Sequence, residues 1–161
     1  KDVYDKLMEE IDNYIDDTYY LLMSKKSYLH HCVIEHMRLF NTININIQRT
    51  VENDMVYHGI NMKKGEQVFI LFASILRDTS LFNQPDTYIP ERWETKTIEE
   101  QDIVFSVGPQ VCPSKNISPI FYKAIIYHLL KNYKYKSVTP KIKSKTMYFV
   151  NPFILEFELS Q

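Results

Sequence analysis

The sequence predicts a single α+β domain over residues 1–161, with helices outnumbering strands. Three observations carry this prediction: apolar residues recur at helical spacing in three separate stretches, the period turns strand-like after the second, and a long aperiodic stretch precedes the third. With 45% hydrophobic and 14% aromatic residues, a chain of this size has apolar material enough for one core.

Tyr4, Leu7, Met8, Ile11, Tyr14 and Ile15 form the first helical stripe, with Glu9, Glu10, Asp12 and Asp16 opposite. A break is expected from Asp16 to Ser27. Leu29, Val33, Met37 and Phe40 then mark a second helix that ends near Asn41-Thr42, where Ile43, Ile45 and Ile47 begin to alternate with Asn44, Asn46 and Gln48. Up to Phe72 the chain reads as a small β-unit: Val56-Tyr57, the turn residues His58-Gly59, a second turn at Lys63-Lys64-Gly65, and a strand from Val68 to Phe72. Between Ala73 and Val111 neither period holds, and Pro85, Pro90, Gly108 and Pro109 punctuate an irregular stretch of a length that is usually functional. Ile117, Ile120, Phe121, Ala124, Ile125, His128 and Leu129 mark the third helix. Pro119 lies inside it, so that helix either starts a little late or is kinked. The lysines from Lys131 to Lys145 read as a solvated loop, and two strands, Met147 to Val150 and Ile154 to Leu159, close the chain around Asn151-Pro152.

Several function classes are disfavoured. Nineteen Lys+Arg against 20 Asp+Glu, well mixed, leave no basic surface for nucleic acid. The longest apolar runs are too short or too interrupted to span a bilayer. Two cysteines without a signal peptide suggest reduced thiols and a cytoplasmic location, or one at the cytoplasmic face of a membrane, with any anchor upstream of Lys1. Starting without methionine, the chain reads as a fragment or a processed product. Cys32 has His30, His31 and His36 around it, but on a helix these point several ways and no second pair at zinc-finger spacing exists; a buried thiol on an ordinary helix is the expectation.

Glu35 and Arg38 lie one helical turn apart, a spacing that most often yields a weak surface ion pair. Their context is more specific. Downstream stand Pro90-Glu91-Arg92-Trp93 and then Phe105-Ser-Val-Gly108-Pro-Gln-Val-Cys112 ahead of an apolar helix. From Asp5 to Lys136 this ordered set resembles the C-terminal, haem-ligating part of the cytochrome P450 family, with its Glu-x-x-Arg, Pro-Glu-Arg-aromatic and Phe-x-x-Gly-x-Arg-x-Cys-x-Gly segments. Lys63-Lys64-Gly65 resembles the family's Pro-Lys-Gly turn, and Leu76-Arg77-Asp78 its His-Arg-Asp. The resemblance implies J and K helices, a small β-unit, a meander, a cysteine loop, a proximal L helix and a C-terminal β-hairpin. It implies haem as cofactor, with Cys112 ligating the iron, Phe105 and Gly108 shaping the loop beneath the ring, and Arg49 and Gln110 at the propionates. Glu35, Arg38 and Arg92 are implied as a structural ion-pair network. A cysteine close before a helix N-terminus is well placed to be a thiolate, and thiolate donation favours O–O cleavage.

The pattern departs in four places. Gln110 stands for the arginine and Ser114 for the glycine that flank the cysteine, Pro113 has no N–H to offer the sulfur, and Pro119 sits in the proximal helix. These departures predict a thiolate with fewer hydrogen bonds and a haem held less firmly. The family's distal oxygen-activating helix has no counterpart here, so no catalytic residue is assigned within the chain. Two readings stay open. The first is the haem-thiolate portion of a monooxygenase, incomplete by itself, which needs a distal half or partner chain, a redox partner and a small hydrophobic substrate. The second is a derived binding or structural module that has lost haem.

Overall fold

The computed structural model describes residues 2–14, 16–41, 47–137 and 155–159. Ile15, Ile43, Ile45 and the strand expected over Met147 to Val150 lie outside the described residues, as does Asn151-Pro152.

Helix α1 spans Val3–Asn13 and is capped by Asp2, whose carboxylate accepts from the Asp5 amide at 2.9 Å. Its apolar face buries Leu7 and Ile11. The expected break contains a short helix, α2, Thr18–Met23, capped by Asp17 and burying Leu21. Fewer than two turns are too short to show a period, which is why the sequence pattern missed it. Helix α3, Tyr28–Leu39, starts at the Ser27 cap, and the Glu10 carboxylate of α1 accepts from the amides of Tyr28 (2.6 Å) and Leu29 (2.8 Å). These amides have no partner inside the helix, so α1 both satisfies them and orients α3.

The β-unit consists of two separate antiparallel pairs. β1, Ile47–Thr50, pairs with β4, Gln67–Ile70, and between them β2, Met55–Tyr57, pairs with β3, Ile60–Met62. His58 and Gly59 join β2 to β3 with φ of 49° and 81°, the two-residue turn whose twist suits a hairpin. Phe72, expected in the last strand, instead opens helix α4, Phe72–Ile75, and is buried there.

The stretch read as irregular holds four short helical turns: α4, a 3₁₀ turn at Pro90–Trp93, helix α5 at Ile98–Gln101 and a second 3₁₀ turn at Asp102–Phe105. Each is four residues long, below the reach of periodicity. Helix α6, Ser118–Asn132, has Pro119 in its first turn, so of the two alternatives the late start holds. The chain then passes directly into β5, Tyr133–Ser137, paired antiparallel with β6, Leu155–Leu159. This corrects the solvated loop at its start. Tyr133-Lys134-Tyr135-Lys136 alternates with a period of two, and the lysine content masked it.

Two apolar clusters meet along α3. Leu7, Ile11, Leu21, Leu29 and Tyr127 join α1, α2, α3 and α6; Ile34, Phe72, Leu76, Phe82, Trp93, Val104 and Phe105 join α3 to the long connecting stretch. Lys123 of α6 is almost wholly buried, and its ammonium donates to the Ser24 carbonyl at 2.8 Å. Burial pushes its pKa down to about 8, against the pull of Glu10. No described helix is long and apolar enough to cross a membrane.

Candidate haem-thiolate cleft

Glu35 is fully buried on α3 and gathers five donors. One oxygen accepts from Arg38 Nη2 (2.8 Å), the Ile89 amide (2.9 Å) and Arg92 Nε (3.0 Å); the other accepts from Arg38 Nε (2.9 Å) and Trp93 Nε1 (2.9 Å). Burial by itself would raise the carboxyl's pKa, but the Arg38 guanidinium, the Ile89 amide and Arg92 outweigh it and hold the group below the usual carboxylate range. Arg38, equally buried, spends its remaining donors on the carbonyls of Leu76 (2.8 Å), Pro85 (2.6 Å) and Thr87 (3.3 Å). Arg92 reaches the carbonyls of Asn83 (2.7 Å) and Gln84 (3.2 Å). Glu35, Arg38 and Arg92 thus come together, and they fasten α3 to a backbone stretch that lacks a ladder of its own.

Trp93 is the member that motif reading missed. It is the one tryptophan in the chain and directly follows Arg92, but nothing in the spacing says that its indole N–H turns toward Glu35. Glu91 of the same turn faces the other way, accepting from Lys6 and from the Tyr28 hydroxyl at 2.8 Å, so the turn is also tied to α1.

The loop from Phe105 to Cys112 is closed by the Cys112 amide, which donates to the Phe105 carbonyl at 3.0 Å. Gly108 has φ of 84°, where an L side chain is strained, and the Val111 amide turns back to its carbonyl at 3.1 Å. Ser106 adopts φ 70°, ψ 176°, a region populated essentially by glycine alone. The loop therefore stores strain one residue after the buried Phe105 ring.

Residues 113–117 form turns, so the first residue of α6 lies six positions after Cys112. The helix expected directly after the cysteine thus begins a turn later along the chain. The Ser114 hydroxyl lies 3.1 Å from Cys112 Sγ. The sequence marks Ser114 only as a replacement of the glycine and does not reveal it as a polar neighbour of the sulfur.

Cys112, Phe105 and Gln110 line a cleft of about 550 Å³ with Arg49 of β1, while Met37 of α3 and Phe72 of α4 add apolar surface. Gly108 belongs to the loop but does not line the cleft. Arg49 is half-buried and donates to the Gln48 carbonyl at 2.9 Å, and Gln110 is exposed. The volume falls within the range of cofactor and ligand sites. A soft sulfur donor, an apolar lining and one guanidinium suit a flat, largely apolar group that carries a metal and acidic substituents.

Elsewhere, Cys32 is buried and its thiol is pushed up to about 12, chiefly by burial. No group of three or more metal-ligating side chains occurs among the described residues.

The sequence matches the family model for cytochrome P450 over residues 1–154. Among curated proteins it is 27% identical to cytochrome P450 52C1 of Candida tropicalis over 82% of this chain and 28% of that protein. It is 30% identical to cytochrome P450 3A15 of Cavia porcellus, over 83% and 28%, and 32% identical to sugiol synthase of Salvia miltiorrhiza, over 74% and 25%. The chain spans about a quarter of the length of the curated relatives it matches.

Proposed function

The chain belongs to the cytochrome P450 family, and from that premise we propose that it is the haem-thiolate portion of a monooxygenase, in which Cys112 would ligate the haem iron. The observation that carries the reading is the cleft: the Cys112 side chain lines an open space of cofactor size instead of packing wholly into the core. A thiol kept only for packing would close against its neighbours, as Cys32 does.

In this reading, bound haem supplies one-electron and oxygen chemistry, for which thiolate ligation favours O–O cleavage. The chain's own residues do the holding. Phe105, Met37 and Phe72 would cover apolar ring surface, Arg49 would offer its guanidinium to a carboxylate, and Gln110 would offer a neutral amide where a charge-assisted bond would be stronger. Glu35, Arg38 and Arg92 do not line the cleft; they hold the long connecting stretch against α3, on the core that Phe105 and Trp93 share. No residue within the chain is assigned a catalytic role. Turnover then needs the remaining three-quarters of the family's length on the same or another polypeptide, a redox partner and a small hydrophobic substrate. The departures at Gln110, Pro113 and Ser114 point toward the second reading, a module that has lost haem, but the family match does not favour it.

The test is a ferrous–carbon monoxide difference spectrum of the protein, at the length at which it occurs, after loading with haemin. A strongly red-shifted Soret band that disappears in Cys112→Ala supports thiolate ligation. A spectrum of free or histidine-bound haem in the wild type refutes it.

A further inference from the structure

We infer that the Ser114 hydroxyl donates a hydrogen bond to the Cys112 sulfur and so sets how strongly that ligand donates to iron; this rests on the haem-thiolate reading above. The side chains stand 3.1 Å apart. A thiolate can only accept, so the hydroxyl, free to rotate, must be the donor.

The local backbone makes this contact important. Pro113, next in the chain, has no N–H. The Cys112 amide is committed to the Phe105 carbonyl (3.0 Å) and the Lys115 amide to the Cys112 carbonyl (3.2 Å). The amides of Ile117 and Ser118 both turn to the Ser114 carbonyl, at 3.0 and 2.8 Å, closing the turn that precedes α6. The amides of Cys112, Lys115, Ile117 and Ser118 are thus spent on shaping the loop, and among the described residues the Ser114 hydroxyl is the side chain bonded to Sγ. The turn holds it there: Ser114 is anchored through its carbonyl by two bonds, and its side chain lines the same cleft as Cys112.

A hydrogen bond to a ligating sulfur withdraws electron density from it. Hydrogen bonding around cysteine ligands is an established lever on the reduction potential of thiolate-held metals. The more electron-rich the sulfur, the more the ferric state is favoured. With haem bound, Ser114 would therefore make the ferric iron easier to reduce by one electron from the redox partner, with no bond formed or broken. Ser114 is a positioning and tuning residue, and a residue with no side-chain donor at this place would leave the sulfur a stronger donor.

The experiment compares wild type with Ser114→Ala, Ser114→Gly and Ser114→Thr in the haem-loaded protein, reading the reduction potential by spectroelectrochemistry and the iron–sulfur stretch by resonance Raman. Alanine and glycine are expected to lower the one-electron reduction equilibrium alike, by about tenfold or ~59 mV, and to raise the stretching frequency. Threonine, which keeps the hydroxyl, should retain the wild-type values. Potentials unchanged in Ser114→Ala, or a threonine variant that behaves like alanine, would overturn the inference while leaving a red-shifted carbon monoxide band, and hence the haem-thiolate reading, intact. A wild-type protein without that band overturns both.

Discussion

Replacing Glu35 by glutamine keeps the shape of the side chain and turns one acceptor oxygen into a donor. Wherever the amide nitrogen is placed, it faces donors. At one position it meets Arg38 Nε and Trp93 Nε1; at the other, Arg38 Nη2, the Ile89 amide and Arg92 Nε. At least two buried donors lose their acceptor, at about 1–3 kcal/mol each. Arg38, with no exposed surface, also loses its counter-charge, and breaking one side of a buried pair costs about 3–5 kcal/mol. These are two views of one loss and do not add, so about 3–5 kcal/mol is expected. A domain has about 5–15 kcal/mol in total. Urea titration reads the loss directly, followed both by Trp93 fluorescence and by far-ultraviolet circular dichroism, since Trp93 itself touches the altered group. The pH dependence gives an independent check. Glu35 has a depressed pKa when folded, so its contribution is present above the unfolded value, about 4.3, and is lost as pH falls through the folded one. The wild-type and Glu35→Gln curves should therefore converge in acid. A loss below about 1 kcal/mol at unchanged slope, or a gap that persists at low pH, would refute the account.

Three further outcomes follow from other residues. Arg38→Lys keeps the charge but has three donors for the five contacts that Arg38 makes, and should cost about 2–4 kcal/mol in the same titration. Lys123 is held near a pKa of about 8 while the unfolded chain keeps the ordinary value, so the unfolded state binds more protons between about pH 8 and 10.5 and wild-type stability should rise with pH across that window, by about 3 kcal/mol. Lys123→Met should be more stable than wild type at pH 7 and should flatten that rise in urea midpoints, because the Ser24 carbonyl keeps the Ser27 hydroxyl at 3.3 Å. Ser106→Gly removes the cost of φ 70°, ψ 176°, about 1–3 kcal/mol, against a glycine entropy cost of about 0.4–1, so thermal melting should show a net gain of roughly 1 kcal/mol.

Much of the architecture was legible because long-period signals survive local noise. The stripes of Leu7 and Ile11, of Leu29 and Val33, and of Ile120 and Ala124 lie in α1, α3 and α6, and His58-Gly59 marks a turn whose positive φ values only a short list of residues tolerates. Short turns were not legible. α2, α4 and α5 run four to six residues, and such elements are selected by capping contacts and burial, not by periodicity. β5 was hidden by its lysines, although its alternation was present in the letters.

For the candidate site, the sequence by itself determined the kinds of residue and their order: a Glu-x-x-Arg pair, a Pro-Glu-Arg-Trp segment, and a cysteine beyond a glycine turn, which were enough to bring the family into view. Tertiary structure alone decided what each polar atom meets. Glu35 gathers donors from residues 54 to 58 positions away, Arg49 reaches the same cleft as Cys112 from a strand 63 positions earlier, and the Ser114 hydroxyl faces a sulfur that spacing had assigned to a helix terminus. The physical reason is one of range. Periodicity and turn chemistry are local and can be read along the chain, whereas hydrogen-bond partners and clefts depend on how separate segments close upon one another.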